Sequence, residues 1–143
     1  MLTGPYDNNP FKPNIRYFLG GIEIYDREHT LGEELWRFDP NNKKDREKII
    51  KKYILSRFEK AYNYRHRYAL LENLKDTLRQ KKFDFGRLFD TDFDNPDEAH
   101  TSIAWDSDEI DNPRSFFEDI YIVAREVWSD DLERAASEDQ STW

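Results

Sequence analysis

From Lys43 to Lys82 the chain runs 40 residues without a glycine or a proline. Within that stretch Ile50, Ile54, Phe58, Ala61, Tyr64, Tyr68, Leu71, Leu74 and Leu78 recur at an average spacing of 3.5 residues. That period is helical with a heptad tendency. At 1.5 Å per residue one unbroken helix would reach about 60 Å, longer than a compact chain of this size accommodates. The expectation is a break near Asn63 that folds the stretch into a helical hairpin. The alternative is a straight helix that dimerises through its seam, and a monomer is favoured.

Around this stretch the signals are shorter. Residues 1–14 contain Gly4, Pro5, Pro10 and Pro13 and read as an irregular arm. "NIRYFLGGIEIYD" places β-branched and aromatic residues on both sides of Gly20-Gly21, which predicts a β-hairpin over 15–26 with strands at 15–19 and 22–26. Thr30 and Glu33 have capping-box spacing, predicting a short helix over 31–38. Residues 87–112 read as an acidic loop region in which "TSIAW" has strand-like composition. Asn112 and Pro113 make an N-cap and N1 pair for an amphipathic helix over 113–136, followed by a polar tail, 137–143. The expected fold is thus a single domain, mostly α within the α+β class, with three to four helices and one small N-terminal β-hairpin.

Composition narrows the chemistry. Twenty-two aromatic residues offset a low hydrophobic fraction of 37%, because each large ring buries roughly 150–250 Å². No cysteine is present, so disulfides and thiolate chemistry are excluded. The N-terminal segment has no basic and apolar signal pattern, and no apolar run approaches the roughly 18 residues of a membrane span, so a cytoplasmic protein is expected. With five glycines, neither a GxxxxGK[ST] nor a GxGxxG loop can be written, and GxSxG is absent too. His29, His66 and His100 are scattered over different segments. The chain is therefore read as non-enzymatic, with no cofactor and no metal.

Charge is the unusual feature. Residues 1–89 carry 19 Lys and Arg against 13 Asp and Glu, a balance of +6; residues 90–143 carry 3 against 17, a balance of −14. Between Phe89 and Asp111 lie nine carboxylates and no Lys or Arg. Asp90, Asp92 and Asp94 match the first ligand positions of an EF-hand loop, but Thr101 stands where the bidentate glutamate is required. Three readings compete: solubility, neutralisation of the chain's own basic helix, and an interface. Phe93, Ile103 and Trp105 interleave with the acids, as interface anchors do.

The reading adopted is an acidic protein-binding module, an inhibitor of the immunity, antitoxin or phage anti-defence kind. It would block a nuclease, toxin or nucleic-acid enzyme with a basic surface. Its contact residues would be Asp90, Asp92, Phe93, Asp94, Asp97, Trp105, Asp106, Asp108, Glu109, Asp111, Glu118 and Asp119. The alternative is a nucleic-acid-binding regulator using segment 43–68, through Lys43, Lys44, Lys48, Lys51, Lys52, Arg65 and Arg67 beside tyrosine rings.

Overall fold

The computed structural model describes residues 1–92, 94–95 and 101–143. Its α-helices are α1 (Glu33–Leu35), α2 (Lys43–Ile49), α3 (Tyr64–Leu78), α4 (Pro113–Val127) and α5 (Ser129–Ala136). Shorter 3-10 and π-helical segments extend and connect them. Among the described residues there is no strand, only the isolated antiparallel bridges Thr3–Pro10 and Glu23–Ile103. The expected hairpin is therefore overturned, and three to four helices is too few.

Residues Ile15–Ile22 form a 3-10 helix instead. Asn14 caps it, its side chain accepting from Arg16 N, and Ile15, Phe18, Leu19 and Ile22 face the core at i, i+3, i+4 and i+7. No glycine has positive φ, so Gly20 and Gly21 do not make a hairpin turn. They permit close approach. A Cβ at Gly21 would lie 1.8 Å from the Tyr53 carbonyl oxygen, and one at Gly20 would lie 1.1 Å from Arg57 Nη1. The 3-10 helix thus packs directly on the backbone of the π-helical turn Ile50–Leu55, which continues α2.

The short helix is displaced as well. A π-helical turn at Glu28–Gly32 leads into α1, and Thr30 donates its hydroxyl to Arg27 O rather than capping.

Between Phe58 and Tyr64 the chain leaves the helix. The Asn63 side chain accepts from Arg65 N and His66 N, and His66 Nδ1 accepts from Asn63 N, a reciprocal cap that starts α3 afresh. In the same way Asn112 accepts from Ser115 N at the start of α4, with Pro113 at its first position. α4 ends and α5 begins at Trp128, which is buried against Phe58.

α3 packs against α4 and α5, and α2 lies across α4. Between them sits an aromatic core in which Phe89 meets Phe116 and Phe117, while Phe58 meets Phe18, Tyr62 and Trp128. Arg46 is the buried cation of this core. Its Nε donates to Pro40 O at 2.7 Å, and its Nη1 donates to Ser115 Oγ and Asp119 Oδ2, each at 3.1 Å, clamping α2 to α4. No described helix is long and apolar enough to cross a membrane.

Candidate protein-binding face

The acidic stretch is held by the residues between its acids. Phe89, Ala104, Trp105 and Ile110 are buried, so the backbone is pinned to the core while the charges are left outside. Asp90, Asp92, Asp94, Asp106, Asp108, Glu109 and Asp111 are all exposed. Phe93 and Asp97 lie outside the described residues.

Local hydrogen bonds set the shape of this loop. The Asp90 carboxylate accepts from Ser107 N at 2.9 Å and Ser107 Oγ at 2.7 Å, joining the two ends of the stretch. Asp106 caps the 3-10 turn Ser107–Glu109, accepting from Asp108 N and Glu109 N, and Glu109 accepts in return from Asp106 N. Asn41 bridges to the basic helix side: its Nδ2 donates to Glu109 O, and its Oδ1 accepts from Asp111 N. On the other flank Ile24 N donates to Ser102 O and Ala104 N donates to Ile22 O. The loop is thereby stitched to the 3-10 helix Ile15–Ile22.

The EF-hand spacing leads to no cation cage. Asp90 is turned towards Ser107, and Asp92 accepts from Asp94 N in a local turn. Among the described residues no group of three metal-ligating side chains comes together.

The counter-charges of the basic segment come from elsewhere. Lys52 pairs with Glu34 at 3.3 Å, Lys51 with Glu47 at 2.8 Å, Arg46 with Asp119, Arg67 with Asp131 at 3.0 Å and Arg65 with Glu138 at 3.1 Å. These contacts leave their mark on the acids. Glu34 is held below the ordinary carboxylate range by the Tyr53 hydroxyl and then by Lys52. Glu47 is lowered by the hydrogen bond from Lys51. By contrast, none of the described carboxylates from Asp90 to Asp111 lies within ion-pair distance of a described Lys or Arg.

Four expected contact residues are placed differently from their assumed role. Trp105 is 4% exposed and belongs to the core, so its ring is no surface anchor. Asp119 is engaged by Arg46 and does not extend the free acidic surface, although Glu118 beside it is exposed. In the alternative set, Arg65 and Arg67 are committed internally. Arg67 donates to Phe58 O and Tyr62 O besides pairing with Asp131, and Arg65 stacks over Tyr64 and Trp143. Lys43, Lys44 and Lys48 remain exposed on α2.

Among the described residues, Trp36 presents a ring at this face, 50% exposed, with its Nε1 donating to Ala104 O at 2.8 Å. Sequence reasoning missed it. The available signal was its place at the end of a short amphipathic segment, next to Arg37 and beyond Leu35, the residue that fills the core.

No family model, no curated protein and no solved structure matches this chain.

Proposed function

We propose that the protein is a non-enzymatic binding module whose acidic face, Asp90–Asp111, blocks a partner protein with a basic surface. The inhibitor reading of the immunity, antitoxin or anti-defence kind follows from that role, in a cytoplasmic setting that suits a chain without cysteine. One observation supports it above the others. Seven exposed carboxylates stand on a loop anchored in the core, while Lys51, Lys52 and Arg67 of the basic segment are paired with other acids. An excess of one charge on a fixed scaffold steers association with an oppositely charged surface. Trp36 beside it supplies the apolar contact that charge alone lacks.

The test is a capture experiment with matched variants. The protein with Asp92→Asn, Asp94→Asn, Asp106→Asn and Asp108→Asn keeps every side-chain acceptor, including the Asp106 cap, because asparagine caps as well as aspartate. A basic protein retained from host lysate by the parent and lost by this variant supports the proposal, with association slowed about ten-fold or more at low salt. Trp36→Ala should speed dissociation instead. Weakened folding with unchanged binding in the four-Asn variant would overturn it.

A further inference from the structure

The N-terminal arm borders a second feature, remote in role from the acidic loop. Backbone bonds Gly4 N to Asn9 O and Phe11 N to Leu2 O close residues 2–11 into a loop that folds over α3 and the start of the 3-10 helix. His66 Nε2 holds the loop at Thr3 O, 2.7 Å away, and Phe11 stands edge-on to His66 and Tyr62. Along the loop runs an open groove of about 660 Å³, bordered by Tyr6, Asp7, Lys12, Tyr17, Arg57 and Tyr62. That volume lies in the range of small-molecule sites.

Its polar groups are unusual. Tyr62 is 6% exposed, and its hydroxyl, which makes no hydrogen bond to a described residue, is not sealed off from solvent and opens on this space. Tyr6, Tyr17 and Arg57 are its electrostatic neighbours, and burial raises its pKa, so the phenol remains a donor. The Arg57 guanidinium lies in the space left by the missing side chain of Gly20 and donates to Tyr17 O at 3.3 Å. No described carboxylate pairs with Arg57 or with Lys12. Two uncompensated cations and three phenols therefore share one groove with aromatic walls, and Asp7 adds an acceptor at the arm.

We propose that this groove binds a nucleotide, its phosphate on Arg57, Lys12 and the Tyr62 hydroxyl, its base against the tyrosine rings. A guanidinium and an ammonium recognise phosphate oxygens by charge-assisted hydrogen bonds. Tyrosine rings stack bases whatever their sequence, and the Tyr6 ring is exposed for that purpose. The Asp7 carboxylate can accept from an amino group on the base edge. A free mononucleotide and the end of a nucleic-acid strand share this chemistry.

Titration calorimetry of the whole protein with adenosine monophosphate, adenosine, inorganic phosphate and a short single-stranded oligonucleotide tests the proposal. Adenosine monophosphate should saturate one site, with adenosine and inorganic phosphate each much weaker. Arg57→Gln should weaken it about ten-fold, the value of one hydrogen bond to a charged group. Tyr62→Phe, which keeps the ring, should weaken it several-fold. Gly20→Ala should also weaken it by displacing the guanidinium. Circular dichroism checks that each variant is folded. Tighter binding of the oligonucleotide identifies a strand end as the source, tighter binding of the mononucleotide a free metabolite, and either supports the site if Arg57→Gln reduces it. No saturation by either at about millimolar concentration, equal affinity for inorganic phosphate, or indifference to Arg57→Gln overturns it. The acidic-face variants leave this groove untouched, so the two proposals stand or fall separately.

Discussion

Replacing each member of the glycine pair separately distinguishes the helix at Ile15–Ile22 from a hairpin. In a two-residue hairpin turn of the type a Gly-Gly pair serves, both central residues need positive φ, so both alanine variants would be impaired alike. In the observed packing they differ. At Gly21 the new methyl would meet the Tyr53 carbonyl oxygen at 1.8 Å, followed by the Tyr53 carbonyl carbon at 2.7 Å. Backbone cannot step aside, so the two helices must separate by about 1.5 Å to restore contact distance. Overpacking of this kind costs typically 1–3 kcal/mol and here stands at the upper end or beyond, about 3 kcal/mol. At Gly20 the obstacle is the far end of the exposed Arg57 side chain, which can rotate away. Alanine in a helix also recovers roughly 0.5–1 kcal/mol over glycine, so Gly20→Ala should stay within about 1 kcal/mol of the parent. For a chain of 143 residues the unfolding entropy is about 0.3 kcal/mol per degree. Thermal unfolding followed by circular dichroism should therefore show Tm lower by about 10 °C for Gly21→Ala and by no more than about 3 °C for Gly20→Ala. Equal losses at the two positions, or a tolerated Gly21→Ala, would refute the close approach.

Other expectations can be checked in the same apparatus. Asn63→Ala removes the reciprocal cap of α3 and should destabilise by about 1 kcal/mol in denaturant titration; a stabilised variant would mean that the helix runs through. Arg46→Met leaves the buried Pro40 carbonyl without its donor and should cost roughly 2–4 kcal/mol, more than Asp119→Asn, because Asp119 is half-exposed and solvent screens its pair. Glu138 is held below the ordinary glutamate range by the hydrogen bond from Tyr64 and then by Arg65. Its contribution is present above the pKa of the unfolded state and lost as pH falls through the lower folded-state value. Glu138→Gln should thus narrow the stability difference between neutral and strongly acidic solution, measured by urea midpoints. Saturating Ca²⁺ should leave Tm unchanged apart from a general ionic effect, and a saturable rise abolished by Asp90→Ala would contradict the turn of Asp90 towards Ser107.

Some of this molecule is written in short stretches of sequence. The caps at Asn63 and Asn112 depend on side chains bonding backbone groups two or three residues away, so neighbouring letters suffice to specify them. The separation of charge is likewise a property of order along the chain. A stretch with nine carboxylates and no Lys or Arg can be neutralised only by distant cations, and the structure commits many of those to Glu34, Glu47, Asp119, Asp131 and Glu138.

The hairpin error shows where local reading stops. Ile15, Phe18, Leu19 and Ile22 carry helical spacing, but their β-branched and aromatic character and the following Gly-Gly pair argue for strands equally well. The choice was made by Tyr53, whose carbonyl requires a bare backbone at Gly21, and Tyr53 is 32 positions further along the chain. The two tryptophans make the same point. Trp36 and Trp105 are alike in chemistry, yet Trp105 is packed into the core while Trp36 stays half-exposed, its Nε1 donating to Ala104 O, 68 residues away. Likewise Arg57, Tyr62, Tyr17 and Tyr6 share a groove only because the arm folds back over α3. Capping and net charge are decided by neighbours in sequence; burial is decided by neighbours in space, and those exist only once the chain has closed.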